Sequence, residues 1–146
     1  MNKTLLAAAA IAMFAANLPA QARDERTKFP VADAMTTEAA KAQLSPDIKF
    51  FFGDAAHPAV ERSFGTFTSN KKTNAVGKSD KMACEWAFLS AMLSFQNRVT
   101  QLGGNAVINI KSNYKSVPFT SAAEYDCGAG NIMVGVTFQG EVVKLK

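Results

Sequence analysis

The stretch DKMACEWAFLSAMLSFQNRVTQLGGNAVINI, residues 80–110, contains the strongest structural signals in this chain. Across residues 80–102, apolar side chains return every three or four positions, which is the spacing of an α-helix. Ser79 or Asp80 can accept hydrogen bonds from the first free N–H groups of that helix. The pair Gly103-Gly104 can end it, because glycine readily takes the positive φ of a helix C-terminus. The stretch therefore predicts a long helix that leads directly into a strand.

Two rows of apolar side chains give this helix a broad apolar face, as expected for a helix that lies on a sheet. The rows are Met82, Trp86, Leu89 and Leu93, and Phe88, Met92, Phe95, Val99 and Leu102. We predict that the Met and aromatic side chains of both rows, including Met82 and Trp86, belong to the core. No cofactor is predicted for this face.

Four apolar runs outside the helix predict strands, either because they alternate with polar residues or because they are rich in aromatic residues. These runs are Ile48–Phe52, Val60–Thr68, Ala106–Tyr114 and Ile132–Leu145, the last with a bend at Gly140. The segments Ser69–Lys78 and Ser116–Gly130 predict connecting loops. The predicted order is β-β-α-β-β, which is an α+β fold with one long helix packed on a small, mainly antiparallel sheet.

The N-terminus predicts export. Lys3 precedes an apolar run over residues 5–16, and residues 18–22 end in a small-x-small site with cleavage expected before Arg23. This run is shorter than the roughly 20 residues that span a membrane. We therefore predict a signal peptide over residues 1–22 and a soluble product that is periplasmic or secreted. No cysteine stands at the cleavage site, so no membrane anchor is expected after cleavage.

After the signal peptide, we expect a leader segment over residues 23–44 and one α+β domain over residues 45–146. Thr36 or Thr37 could cap a short helix in the leader. The full chain has 16 Lys and Arg and 12 Asp and Glu, a net charge of +4, which becomes +3 when Lys3 is lost. Its densest basic patch lies among small polar residues without interleaved aromatics, so no nucleic-acid partner is predicted.

Two cysteines, Cys84 and Cys127, remain in the predicted mature chain. An even count in an oxidising compartment favours one disulfide. The alternatives are two free thiols or a metal-binding pair. Zinc sites usually combine closely spaced cysteines with further Cys or His ligands, whereas these two are far apart and the chain has a single His.

The stretches VTQLGGNAVINI (residues 99–110), MVGV (133–136) and GEVV (140–143), together with Tyr114, resemble the YbjQ-like family of small domains. That family is often described as heavy-metal-binding. The resemblance covers roughly residues 48–145 and implies the same helix-on-sheet fold. In its exported, disulfide-containing form, the chain is similar to the sensor domain of the Rcs stress lipoprotein, which shares the fold and implies a sensing role.

Two groups of residues are candidate binding sites. Asp54, His57 and Glu61 lie within eight residues and could hold a divalent metal ion, although a turn with an exposed histidine is the alternative. The loop that contains Gly128, Gly130 and Asn131 could bring backbone N–H groups to an anion. The alternative there is that the glycines let the chain turn tightly around the disulfide.

Phe50 and Phe52 share one face of their strand and Phe51 lies on the other. We expect Phe67 to oppose Phe64 in the same way on the next strand. Phe51 and Phe67 would then form an interface with an envelope protein or a second copy on the second sheet face, unless the leader covers it.

The chain has one histidine and no G-x-S-x-G motif, so no enzyme is predicted. The sequence favours a non-enzymatic periplasmic binding or sensing module that acts through a protein surface. The alternative is a periplasmic protein that binds a small ligand or a metal ion.

Overall fold

A computed structural model describes residues 22–146, so the signal peptide predicted over residues 1–22 lies outside the described residues except for Ala22. The described chain is α+β: a six-stranded sheet curled into a half-barrel, with one long helix and two short ones. The predicted fold class is confirmed. The strands are β1 (Glu25–Pro30), β2 (Lys49–Phe52), β3 (Val60–Asn74), β4 (Ala106–Ser112), β5 (Glu124–Ala129) and β6 (Met133–Leu145). The helices are α1 (Val31–Met35), α2 (Glu38–Gln43) and α3 (Asp80–Leu102), with a 3₁₀ turn at Tyr114–Ser116.

Helix α3 has the bounds that the sequence predicts, and both of its ends are capped as expected. The Ser79 hydroxyl accepts a hydrogen bond from the backbone N–H of Met82 at 3.1 Å. Gly103 follows the last turn in the left-handed conformation, with φ of 79°. Local sequence signals therefore determine the length of this helix.

Strand β6 is the centre of the sheet. It pairs with β3 along its whole length on one side, and with β5 and then β4 on the other. Strand β1 lies antiparallel beside β5, whereas β2 lies parallel beside β4. Four of these five pairings are antiparallel, and the chain reaches the parallel one by the long crossover through α3.

Two segments predicted as loops contain strand. Strand β3 continues through Ser69 to Asn74, and β5 lies within the predicted loop 116–130. The extension of β3 has polar side chains, and β5 contains a glycine, so local strand propensity is weak in both. The extension of β3 forms its backbone hydrogen bonds with β6, and β5 forms them with β1. These pairings order both segments. The connection to β6 is consequently a tight turn at residues 130–132.

The leader segment is part of the fold. Its β1 strand is an edge of the sheet, and α1 and α2 bury Val31, Ala34 and Ala40 against the core. Thr37 caps α2 by accepting a hydrogen bond from the N–H of Ala40. The short helix expected in the leader is therefore present.

An ion cluster holds β1 against β5. The carboxylate of Asp126 on β5 is almost fully buried, and Lys28 and Arg26 on β1 lie 3.3 Å and 3.8 Å from its oxygens. A buried carboxylate is costly unless cations compensate it. The leader therefore provides charges that the rest of the domain requires.

Aromatic side chains from four elements form the main core beneath α3. Phe88 of α3 lies 4.8 Å from Tyr125, 5.5 Å from Phe138 and 5.7 Å from Phe52, measured between ring centroids. A smaller apolar cluster lies on the opposite face of the sheet, where Phe51 packs against it. The predicted division of Phe50 and Phe52 from Phe51 is confirmed.

A bulge in β3 overturns the expected placement of Phe67. Val143 pairs with Ser63 and Val142 with Gly65, so one extra residue lies on β3 at this point. Such a bulge reverses the alternation of side chains along the strand. Phe64 and Phe67 therefore both pack against the main core, and the prediction that they oppose each other is wrong.

The predicted disulfide joins Cys84 near the start of α3 to Cys127 on β5. Both residues are fully buried, and the described residues contain no free cysteine. The bond fastens the N-terminal end of the helix to the strand that carries the leader.

We expect Cys84→Ser and Cys127→Ser each to lower the free energy of unfolding by about 4 kcal/mol, because either change opens the same 43-residue loop. The double variant should lose no more than either single variant. Urea denaturation of the purified proteins measures this, with the reduced wild type as the control. Unequal single losses, or a double loss equal to their sum, would contradict a shared bond.

Candidate functional site

An apolar groove lies between α2 and the N-terminal half of α3. Its volume is about 410 Å³. The residues that line it are Thr37, Glu38, Ala39, Met82, Glu85, Trp86 and Leu89. The first three lie at the start of α2 and the other four lie on α3, so each helix forms one wall of the groove.

The exposure of Met82 and Trp86 defines the groove. Met82 is 51% exposed and Trp86 is 44% exposed, whereas Leu89 at the floor is 2% exposed. The prediction that Met82 and Trp86 belong to the core is therefore wrong. The sheet covers the row of α3 that contains Phe88, whereas the short helix α2 covers the other row only in part.

The groove carries acidic groups beside its apolar floor. Glu38 and Glu85 both line it. Lys81 lies 3.3 Å from Glu85 and 2.8 Å from Asp33 of α1, so one ammonium group joins two helices. Hydrogen bonds to Asp33 and then to Glu85 raise the pKa of Lys81, which keeps its charge.

Tyr125 lies in the main core beneath α3. Its hydroxyl is buried and has no hydrogen-bond partner among residues 22–146. Burial raises the pKa of Tyr125, and the nearby carboxylates of Glu85 and Asp33 raise it further. The phenol therefore stays protonated in the folded chain near neutral pH.

The structure does not assemble the predicted metal site of Asp54, His57 and Glu61. In the part of the chain that the structure describes, no three His, Cys, Asp or Glu side chains are placed to hold a metal ion. The His57 ring meets Phe51 edge-on, with 5.6 Å between centroids. This histidine therefore packs over Phe51 and the small apolar cluster.

The glycines of the predicted anion site serve close packing. A Cβ on Gly128 would lie 2.0 Å from Cζ of Tyr114, so only glycine leaves room for this ring. The N–H of Gly130 already donates to the carbonyl of Met133 at 2.9 Å. Asn131 is exposed in the turn that follows. Gly128 and Gly130 do share a pocket of about 150 Å³ with Tyr114.

Phe51 and Phe67, the predicted interface, lie on opposite faces of the sheet. Phe51 packs against the small apolar cluster, and Phe67 packs against the main core with Arg98 of α3 4.8 Å from its ring centre. They cannot contribute to one contact surface.

Comparisons with family models, curated proteins and solved structures gave no match. The resemblance to the YbjQ-like family therefore stays a prediction. Within residues 22–146, no helix combines the length and apolar character needed to cross a membrane.

One feature of the sequence could have predicted the groove. A helix with two apolar rows can pack against two partners, and Trp86 is the only tryptophan in the chain. What the periodicity could not show is which row faces the sheet, because that depends on the placement of α2 and the leader.

Tyr125→Phe should raise the free energy of unfolding by about 1 kcal/mol near neutral pH, because it removes an uncompensated buried hydroxyl. In the wild type, the raised pKa keeps Tyr125 protonated in the folded state, whereas the unfolded chain ionises near pH 10. Above about pH 10, ionisation of Tyr125 in the unfolded chain should therefore lower the free energy of unfolding of the wild type. The variant has no ionisable group at this position and should not lose this contribution. Urea denaturation across this range measures the difference, and a difference independent of pH would contradict the assignment.

Gly128→Ala should lower the free energy of unfolding by about 1–3 kcal/mol, because the added methyl group forces the Tyr114 ring out of its place. In a Tyr114→Ala background the same change should cost much less. Gly135→Ala, at the position paired with Gly128, is the matched control, since its Cβ would lie 3.3 Å from the Lys72 side chain and at an ordinary contact distance of 3.6 Å from the Tyr114 ring. Equal losses from Gly128→Ala in both backgrounds would show that the ring is not the obstacle.

Proposed function

We propose that this chain is an exported, non-enzymatic binding module that recognises a partner protein in the cell envelope. The groove between α2 and α3 is the proposed contact. The observation that carries the proposal is the exposure of Trp86 and Met82, large apolar side chains side by side on a well-packed helix. Tryptophan and methionine are enriched where proteins bind each other.

The walls of the groove are fixed before any partner binds. Thr37 caps α2, Ser79 caps α3, and the disulfide at Cys84 anchors the same end of α3 to the sheet. A preformed groove loses little conformational entropy on binding, which favours affinity. This rigidity supports binding through the groove.

The charges of the groove indicate the chemistry of the partner. Glu38 and Glu85 are the charged residues that line the groove. Each pairs through one carboxylate oxygen with a lysine of its own helix, Lys41 or Lys81, and its second oxygen can still accept from a partner. A partner segment that inserts an apolar side chain and presents a Lys or Arg beside it would match both properties. We therefore expect a short amphipathic segment with a basic residue next to its apolar anchor.

A photo-crosslinking amino acid at position 82 tests the contact in cells that express the full chain. We expect a covalent adduct with a second protein from position 82. The matched control is Gln101, which is also exposed on α3 but lies far from the groove. Trp86→Ala should abolish the adduct and Glu85→Gln should weaken it. Both variants should stay folded, because Trp86 is 44% exposed and glutamine keeps the size and shape of Glu85.

Three results would contradict the proposal: equal adducts from positions 82 and 101, an adduct that survives Trp86→Ala, or no adduct at all. An adduct with twice the mass of the chain would show self-association instead of an envelope partner. Selection of peptides from a random library on the purified protein shows which residues the groove prefers in a partner. The enriched peptides should carry Lys or Arg next to an apolar residue. Enrichment of acidic peptides would contradict the predicted charge.

A further inference from the structure

A polar cleft lies on the face of the sheet opposite α3, away from the proposed partner groove. Its volume is about 420 Å³, enough for a small organic ligand. The loop after β2 contributes Asp54, and the edge of β3 contributes Thr66. The floor consists of residues from the paired strands β4 and β6, chiefly Asn109, Lys111, Gln139 and Glu141.

An interruption of the β4–β6 ladder shapes the floor of this cleft. Regular pairing breaks between Ile108 and Lys111, and Asn109 has a positive φ of 52° at the break. Beside it, the backbone of Gly53 approaches Ser121 and Ala122 so closely that an added Cβ would lie 2.7 Å from their atoms. The depression is therefore held between two fixed backbone segments.

Opposite charges line the cleft without pairing. Lys111 lies opposite Gln139 in the ladder, and Glu141 is the next residue of β6 on the same face. Within residues 22–146, neither these two charges nor Asp54 takes part in an ion pair. All three charges can therefore meet the charges of a ligand.

We propose that this cleft binds a small polar zwitterion, a free amino acid or dipeptide. Lys111 would receive the carboxylate, and Glu141 with Asp54 would receive the ammonium group. A cation and an anion in one cleft that do not neutralise each other present separate partners for the two charges of such a ligand. The Ser63 hydroxyl donates to Glu141 at 2.6 Å and the Asn109 amide lies 3.5 Å from it, which orients this carboxylate.

Other ligand classes fit the cleft less well. A bare metal ion would meet the positive charge of Lys111. A saccharide usually stacks on an aromatic ring, and the described residues that line the cleft include none. The hydroxyl and amide groups of Thr66, Asn109 and Gln139 instead favour a ligand with a polar side chain.

Isothermal titration of the purified protein with polar amino acids and their dipeptides tests this site. The N-acetylated and the C-amidated form of each ligand are included, since each lacks one of the two charges. We expect the zwitterion to bind about tenfold or more tightly than either derivative. Lys111→Met should remove the preference over the amide, and Glu141→Gln should remove the preference over the N-acetyl form.

The matched control is Lys144→Met, an exposed lysine on β6 outside the cleft, which should bind like the wild type. Trp86→Ala should also bind normally, since the groove and the cleft are separate. The proposal is overturned if no zwitterion binds at millimolar concentration, or if Lys111→Met and Lys144→Met bind alike. Binding of neutral saccharides or of calcium ions in place of zwitterions would overturn it as well.

Discussion

Strand β6 pairs with three other strands, and the rest of the sheet depends on this arrangement. Every buried backbone N–H and C=O needs a partner, and β6 supplies them to β3 on one side and to β4 and β5 on the other. Its inward side chains, with Phe138 at the centre, meet Phe88 of α3. The helix, the disulfide and the leader are all attached to strands that β6 aligns.

The two proposed sites arise where this arrangement is incomplete. Helix α3 has more apolar surface than the sheet covers, and α2 leaves Met82 and Trp86 exposed. On the opposite face, the ladder between β4 and β6 is interrupted at Asn109, which opens a polar depression. One site is apolar with acidic walls, and the other carries unpaired charges of both signs, so they suit different classes of ligand.

The leader stabilises the domain through charge as well as through packing. Asp126 is a buried carboxylate, and its cations Arg26 and Lys28 come from β1. At the N-terminal end of the same segment, Arg23 pairs with Asp80 in the first turn of α3. The sequence predicts a boundary between the leader and the domain. In the structure, the leader packs and pairs with the domain as one unit.

Elements whose signals are local could be predicted from the sequence alone. Helix α3 has its apolar repeat within its own residues and its caps directly beside them. Strands β4 and β6 could be predicted from their apolar residues, although most of these residues are buried on both faces of the sheet. The even count of cysteines, together with the predicted export, favoured the Cys84–Cys127 disulfide that the structure contains. Tertiary packing determined the rest: which row of α3 faces solvent, that the bulge at Gly65 turns Phe67 inward, and that Lys111 and Glu141 share a cleft. These outcomes depend on contacts between distant segments, and a periodic pattern within one segment carries no information about them.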